Sequence, residues 1–352
     1  MKNNLIKYST EVNMIESIDE LHAFFYRYFL THTMPSEVFF DTEFHKRNTY
    51  WPLLCILQLK LQNHILVIDT LTCPITDSYI ATIFADHDIV KVCHACEQDL
   101  QTLEHANIKV NNCFDTQIGA AFCKFGYPIS YQNLVESITQ TLIEKSHQNS
   151  CWDKRPLNPD MITYAAQDVA FLDTIFYQLR YNLKKTKRFH WVAEEIDFIK
   201  RKKKSTLYIW RDMIAARKNL PPTWIIDNKT LHKLGNMTNQ ITEIRSVLPN
   251  QAKRYAKEIY SILNAYPKQK EQIDTKLQSS ITLMMKIIAH NENIPPSWIC
   301  DSENIRFICA NKLFPKLLGN WRKKLIWETI HLFLNGRCAI ALRDNEFQIV
   351  KL

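Results

Sequence analysis

The segment Val38-Phe-Phe-Asp-Thr-Glu-Phe44 constrains this chain most, because it sets two carboxylates, Asp41 and Glu43, inside an otherwise apolar run. A short run rich in Val and Phe reads as a β-strand, and strand side chains alternate with a period of two. Asp41 and Glu43 therefore emerge on one face of the sheet. Like charges repel and resist desolvation, so both stay ionised chiefly where a cation neutralises them. Hard divalent cations take oxygen ligands, which these side chains supply. Asp-x-Glu is a common pattern and strand ends often reach solvent, so further acids are needed to define a site.

The organisation of the chain says where to look for them. Apolar runs at Glu37 to Phe40, Leu53 to Leu61, Ile65 to Ile68 and Ile89 to Cys93 read as strands. Helical patterns follow at Asp99 to His105, Thr116 to Phe125 and Tyr131 to Ile138, which predicts an α/β domain with a mixed sheet. Asn158-Pro159 is a helix start, with Asn as cap and Pro at the first helical position. The apolar residues Ile162, Ala166, Val169, Ala170 and Ile175 then carry a single helix through about Leu183.

Two more segments supply acids. In Lys91-Val-Cys-His-Ala-Cys-Glu-Gln-Asp-Leu100 a strand ends near Cys93 and a helix follows, so Asp99 lies at a strand-to-helix junction. In Tyr164-Ala-Ala-Gln-Asp168 a spacing of four puts Tyr164 and Asp168 on one helix face, a turn apart. Four acids in this order, each at an element end or on a fixed face, form a two-metal pattern.

The second half of the chain differs in charge and in build. Residues 1–180 carry 13 Lys and Arg against 21 Asp and Glu, whereas residues 181–352 carry 31 against 15. A basic half of this kind is the footprint of phosphate neutralisation. The runs Lys184 to Arg188 and Lys200 to Lys204 bracket the expected domain boundary. Beyond it, Asn219-Leu-Pro-Pro-Thr-Trp-Ile-Ile-Asp227 returns 74 residues later as Asn293-Ile-Pro-Pro-Ser-Trp-Ile-Cys-Asp301. Each copy follows a helical segment and precedes others, which predicts two small all-α units with Trp224 and Trp298 as core anchors. The expected domains are 1–200, 205–275 and 276–352.

Ten scattered cysteines form no secreted-type framework, and the first twenty residues lack the continuous apolar stretch of a signal peptide or membrane span. Both features predict a reduced, cytoplasmic protein without a membrane partner.

The motifs together resemble the DEDD exonucleases, in the tyrosine-bearing subgroup, and within it ribonuclease D. Asp41-Thr-Glu-Phe, with Arg47-Asn-Thr-Tyr50 and Pro52-Leu-Leu-Cys-Ile-Leu-Gln-Leu59, matches the first motif. His94-Ala-Cys-Glu-Gln-Asp99 matches the second and Tyr164-Ala-Ala-Gln-Asp168 the third. Phe114-Asp-Thr-Gln117 and Trp152-Asp-Lys-Arg-Pro-Leu157 match linking segments, and the two repeats resemble HRDC domains, the second more closely than the first. The resemblance implies a ribonuclease H-like exonuclease domain followed by two HRDC-like domains. It implies hydrolysis of RNA from the 3′ end to nucleoside 5′-monophosphates, with tRNA precursors as substrates. Two divalent ions, Mg2+ or Mn2+, would activate water and stabilise the leaving oxygen. Asp41 would bridge both ions, Glu43 and Asp168 would complete one site, and Asp99 would support the other. Tyr164, a poor base at neutral pH, would orient the attacking water.

Neighbouring residues receive plainer readings. Cys93-x-x-Cys96 has no matching second pair and is read as part of the second motif, not as a zinc or redox site. Asp115 is read as a helix N-cap; Arg47, Tyr50 and Trp152 are left as packing residues; and His94 is open between substrate contact and packing. After Asp168 the chain reads Val-Ala-Phe-Leu, where the family often has an arginine and a tyrosine. The competing functions are a DNA 3′→5′ exonuclease and a non-catalytic RNA-binding protein.

Overall fold

The most apolar run of the sequence becomes the middle of the sheet. In the computed structural model, which describes residues 11–143, 150–201, 206–235, 237, 240–265 and 274–352, strand β3 (Leu53–Leu61) is buried at every position after the first. Burial on both faces explains the unbroken apolar sequence, since helices cover each side. The other strands are β1 (Glu11–Ile15), β2 (Glu37–His45), β4 (His64–Asp69), β5 (Val90–Cys93) and β6 (Cys113–Asp115), in spatial order β1-β4-β3-β2-β5-β6. β2, β3 and β4 pair antiparallel, while β1, β5 and β6 join in parallel, so the sheet is mixed as expected. β2 runs past the apolar stretch Glu37 to Phe40 and through both acids to His45, as strand alternation at Asp41 and Glu43 requires, with a bulge between Glu43 and Phe44. β1 and β6 were not anticipated, because each is short and joins the sheet edge.

One side of the sheet carries α1 (Ile18–Thr31), α2 (Tyr79–Ala85) and α3 (Glu97–His105), which pack on Val38, Phe40, Leu57 and Leu59. The other side carries α4 (Thr116–Phe122), α5 (Tyr131–Thr139), α6 (Pro159–Ala170), α7 (Leu172–Lys185) and α8 (Phe189–Arg201), packed on Phe39, Ile56 and Val67.

The helix expected from Asn158 to Leu183 is two helices, broken at Phe171. Side chains satisfy the backbone groups at the break. Phe171 N–H donates to Tyr131 Oη (3.1 Å), Tyr131 donates to Gln167 C=O (3.1 Å), and Lys60 Nζ donates to Ala170 C=O (2.6 Å). Lys60 also pairs with Asp173 at 2.6 Å, which accounts for a lysine almost wholly buried in the central strand. Local periodicity could not reveal a break whose partners lie 40 and 110 residues away.

The two sequence repeats are structurally matched. α9 (Thr206–Lys218) and α14 (Thr275–Glu292) are each followed by a left-handed asparagine, Asn219 (φ 47°) and Asn293 (φ 55°). Short helices α10 (Pro222–Ile225) and α15 (Pro296–Ile299) come next, and Asp227 and Asp301 then cap α11 (Asn228–Leu234) and α16 (Ser302–Asn311). The two asparagines dock the repeats on different parts of the nuclease domain. Asn219 Oδ1 accepts from Tyr50 N–H and Trp51 N–H (3.1 and 3.2 Å), and Asn293 Nδ2 donates to Lys124 C=O (2.9 Å).

The tryptophans did not follow the symmetry of the sequence. Trp298 packs on Phe122, Tyr127 and Trp321, but Trp224, expected as a core anchor, is 54% exposed. α12 (Ile241–Val247) and α13 (Ala256–Ala265) complete the first unit, and the last unit is not wholly helical: after α17 (Asn320–Arg322) and α18 (Glu328–Leu334) comes a hairpin, β7 (Cys338–Arg343) and β8 (Glu346–Lys351). Its turn residues Asp344 and Asn345 both have positive φ, as a two-residue turn of the primed type requires.

Of the basic runs, Lys184 and Lys185 lie in the last turn of α7, where they complement the helix dipole, and Arg188 pairs with Glu292 at 2.6 Å. Lys202 to Lys204 lie outside the described residues. The ten cysteines are free, and among the described residues no helix is long and apolar enough to cross a membrane.

Candidate active site

β2 presents Asp41 and Glu43 toward the layer of α6, on the same side as Phe39. Thr42, between them, points toward the layer of α3 and donates its hydroxyl to Asp99 Oδ1. Asp99 therefore arrives from the opposite side of the sheet, past the end of β5, and Thr42 holds it there. From α6, Tyr164 and Asp168 face the strand acids, with the Tyr164 hydroxyl hydrogen-bonded to Asp168. Trp152, only 2% exposed, lies against Tyr164 with ring centroids 6.2 Å apart. The structure thus brings all five sequence-predicted residues to one place.

Their protonation behaviour shows how closely the charges are held. Burial pushes Asp41 well above the usual carboxylate range, and Asp99, Asp168 and Glu43 push it further. Burial, then Asp168 and Asp99, raise Glu43 to about 9. Asp168 rises to about 7 through burial, against the lowering effect of the Tyr164 hydroxyl, and Asp99 to about 6 against that of Thr42. Tyr164 is also raised, first by burial and then by Asp168, Glu43 and Asp41. Four carboxylates sharing a half-buried site at this cost are a donor set for hard divalent cations, which would remove the repulsion.

Supporting residues pin the surroundings. Arg155 pairs with the buried Asp69 through Nε and through Nη2 (2.5 Å) and donates to Trp152 C=O at 2.7 Å, fixing the loop that carries Trp152. Asp115 caps α4 as expected, and it also accepts from Ala95 N–H and Cys96 N–H (3.0 Å each) in the turn before α3. His94 is half-buried with its ring nitrogens 2.9 Å from Thr116 Oγ1 and 3.0 Å from Ile129 C=O, so it packs at the strand end. Tyr50 packs against the first helical unit, and Arg47 is exposed.

Sequence reasoning missed Gln58. It stands directly opposite Asp41 in the β2–β3 register, is fully buried, and neither atom of its amide has a hydrogen-bond partner. The available signal was a glutamine inside an apolar strand.

Comparison with known proteins identifies the two kinds of domain. Residues 12–184 match the family model for 3′-5′ exonucleases, and residues 205–263 match that for the HRDC domain. The HRDC match falls on the first repeat, which sequence reading had taken as the less similar copy. Ribonuclease D of Xanthomonas oryzae pv. oryzae is 26% identical over 336 residues, covering 83% of this chain and 91% of its own. Ribonuclease D of Bartonella henselae is 27% identical, covering 89% and 88% respectively. The crystal structure of Escherichia coli RNase D superposes with a TM-score of 0.71 at 20% identity, over 93% of this chain and 99% of that one. With a 3′-5′ exonuclease domain, an HRDC domain and relatives matched along nearly their full length, the chain belongs to the ribonuclease D family of 3′-5′ exoribonucleases.

Proposed function

We propose that the chain trims 3′ extensions of structured RNA, tRNA precursors first among them, with Asp41, Glu43, Asp99 and Asp168 holding two divalent ions. The observation that carries this reading is the cluster of four carboxylates, Asp99 and Asp168 buried and Asp41 and Glu43 half-buried, each raised by desolvation and most of them by one another. Mg2+ or Mn2+ bound there would supply an activated water and charge stabilisation at the leaving 3′ oxygen. Asp41, which feels all three other acids, would hold the metal together with Glu43, Asp168 and Asp99.

Tyr164 keeps its proton, because its hydroxyl is shifted further from neutrality than an ordinary tyrosine. It acts as a hydrogen-bond donor that orients the attacking water, not as a base. Trp152 and the Arg155 loop exclude solvent behind it. The basic C-terminal half supplies phosphate contacts that hold the body of the RNA.

The test is a time course on a 3′-extended tRNA, an unstructured RNA and a matched DNA, with product analysis, with and without EDTA. We expect nucleoside 5′-monophosphates from RNA, complete inhibition by EDTA, and loss of activity in Asp41→Asn. Equal degradation by wild type and Asp41→Asn would overturn the site. Faster degradation of the DNA would make the chain a DNA exonuclease.

A further inference from the structure

The β5–α3 turn holds a second cluster that the exonuclease reaction does not use. Cys93 ends β5, Cys96 precedes α3, and Cys113, 20 residues from Cys93, opens β6. β5 and β6 run parallel with Cys93 opposite Asp115 and Lys91 opposite Cys113. Between the two cysteines of the β5–α3 turn, Ala95 adopts a left-handed conformation (φ 55°), which reverses the chain so that both cysteines address Cys113. Cys113 Sγ lies 3.4 Å from Cys93 Sγ and 3.6 Å from Cys96 Sγ, and all three sulfurs fall within 4.8 Å of one another. Asp115 Oδ2 is 3.6 Å from Cys96 Sγ.

These separations fit a coordinated metal. Zinc–sulfur bonds of about 2.3 Å and zinc–oxygen bonds of about 2.0 Å put sulfurs about 3.8 Å apart at a tetrahedral ion, and sulfur and oxygen about 3.5 Å apart. A disulfide would need the sulfurs at about 2.0 Å. Access is provided by an adjoining cleft of about 840 Å³, lined in part by Cys96, Asp115 and Lys200.

We propose that Cys93, Cys96 and Cys113 form a structural site for a thiophilic divalent cation of the zinc class, with Asp115 as fourth ligand. Binding converts three thiols to thiolates and releases up to three protons to solvent, and the three sulfurs, the Asp115 carboxylate and the divalent ion together leave two net negative charges on a site flanked by Lys200. Asp115 already grips the turn through Ala95 and Cys96, so the ion fastens the same turn to β6 and steadies the start of the helix that carries Asp99. The third thiol comes from a separate strand, which is why the Cys-x-x-Cys pair looked incomplete in the sequence.

The full-length protein, reduced, stripped of metal and supplied with saturating Mg2+, is titrated with Co2+ and then Zn2+. One equivalent of Co2+ is expected to produce thiolate-to-cobalt charge-transfer absorption, which one equivalent of Zn2+ removes. Oxygen ligands at the carboxylates cannot produce that band, so Asp41→Asn should retain it, as should Cys55→Ser, which alters a buried cysteine elsewhere. Cys113→Ser and Cys96→Ser should each lose it. Absence of the band in the reduced wild type, which needs no variant to fold, would leave three packed thiols only and overturn the proposal. So would an undiminished band in folded Cys113→Ser.

Discussion

Thr42 donates its hydroxyl to Asp99, so the residue between the two strand acids holds the acid that reaches the site from the other side of the sheet. This bond also counteracts the effect of burial on Asp99. Thr42→Val keeps the β-branched shape and removes the donor. Outer partners of metal ligands are commonly worth about 10-fold to 100-fold in affinity or activity, and we expect a loss of about 10-fold in kcat/KM with a higher Mg2+ requirement. Mg2+ titration of the steady-state rate checks this; an unchanged requirement would show that Thr42 has no part in positioning Asp99.

The raised carboxylates make a prediction about stability without metal. Unfolded Asp and Glu release their protons near pH 4, whereas the folded chain keeps those of Asp99 until about 6, Asp168 until about 7 and Glu43 until about 9. The folded state therefore binds more protons across that interval, and stability contributed by these groups falls as pH rises through it. Saturating Mg2+ should flatten the dependence, because the ion replaces the protons. Thermal unfolding in EDTA and in Mg2+ from pH 4 to about pH 9 measures the difference, and Asp168→Asn should show a shallower slope in EDTA. Parallel curves in EDTA and Mg2+ would contradict this account.

How much of this was legible beforehand depended on the range of the interaction. Asp41 and Glu43 follow from strand alternation, and Tyr164 with Asp168 from helix spacing, since both rules act within a few residues. Asp99 could be placed at a strand end but not tied to Thr42, whose partner is 57 residues away. The break at Phe171 was hidden for the same reason, because the side chains that satisfy it come from β3 and α5. Trp224 and Trp298 occupy identical places in the repeat, yet only Trp298 has the nuclease domain to pack on. Repetition in sequence specifies the helical unit and leaves its docking to the surface it meets.

The docking of the second repeat includes one buried ion pair. Arg322 Nη1 and Glu195 Oε2 are 2.6 Å apart, with the side chains 2% and 1% exposed, and Trp321 Nε1 donates to the same carboxylate at 2.8 Å. Arg322→Met leaves that carboxylate without its cation, and removing one partner of a buried pair costs about 3–5 kcal/mol. The double variant Arg322→Met with Glu195→Leu should recover most of the loss. Denaturant unfolding of the two variants provides the comparison; equal destabilisation in both would mean that packing, and not the stranded charge, sets the cost.

Gln58 separates stability from activity most cleanly. Its buried amide faces the same side as Asp41 and has no hydrogen-bond partner, so the fold gains nothing from its polarity. Leucine is close in size and removes the unsatisfied groups, so Gln58→Leu should unfold at the same temperature as wild type or higher. If the amide instead serves the occupied site, by hydrogen-bonding water or substrate beside Asp41, the same variant should lose at least about 10-fold in kcat, since a positioned polar group acts on the transition state. Gln58→Glu provides the complement: a fifth acid beside Asp41 should lower stability in EDTA and recover part of it in Mg2+. A Gln58→Leu protein that is both stable and fully active would assign the glutamine no role in catalysis and leave its burial without a functional cause.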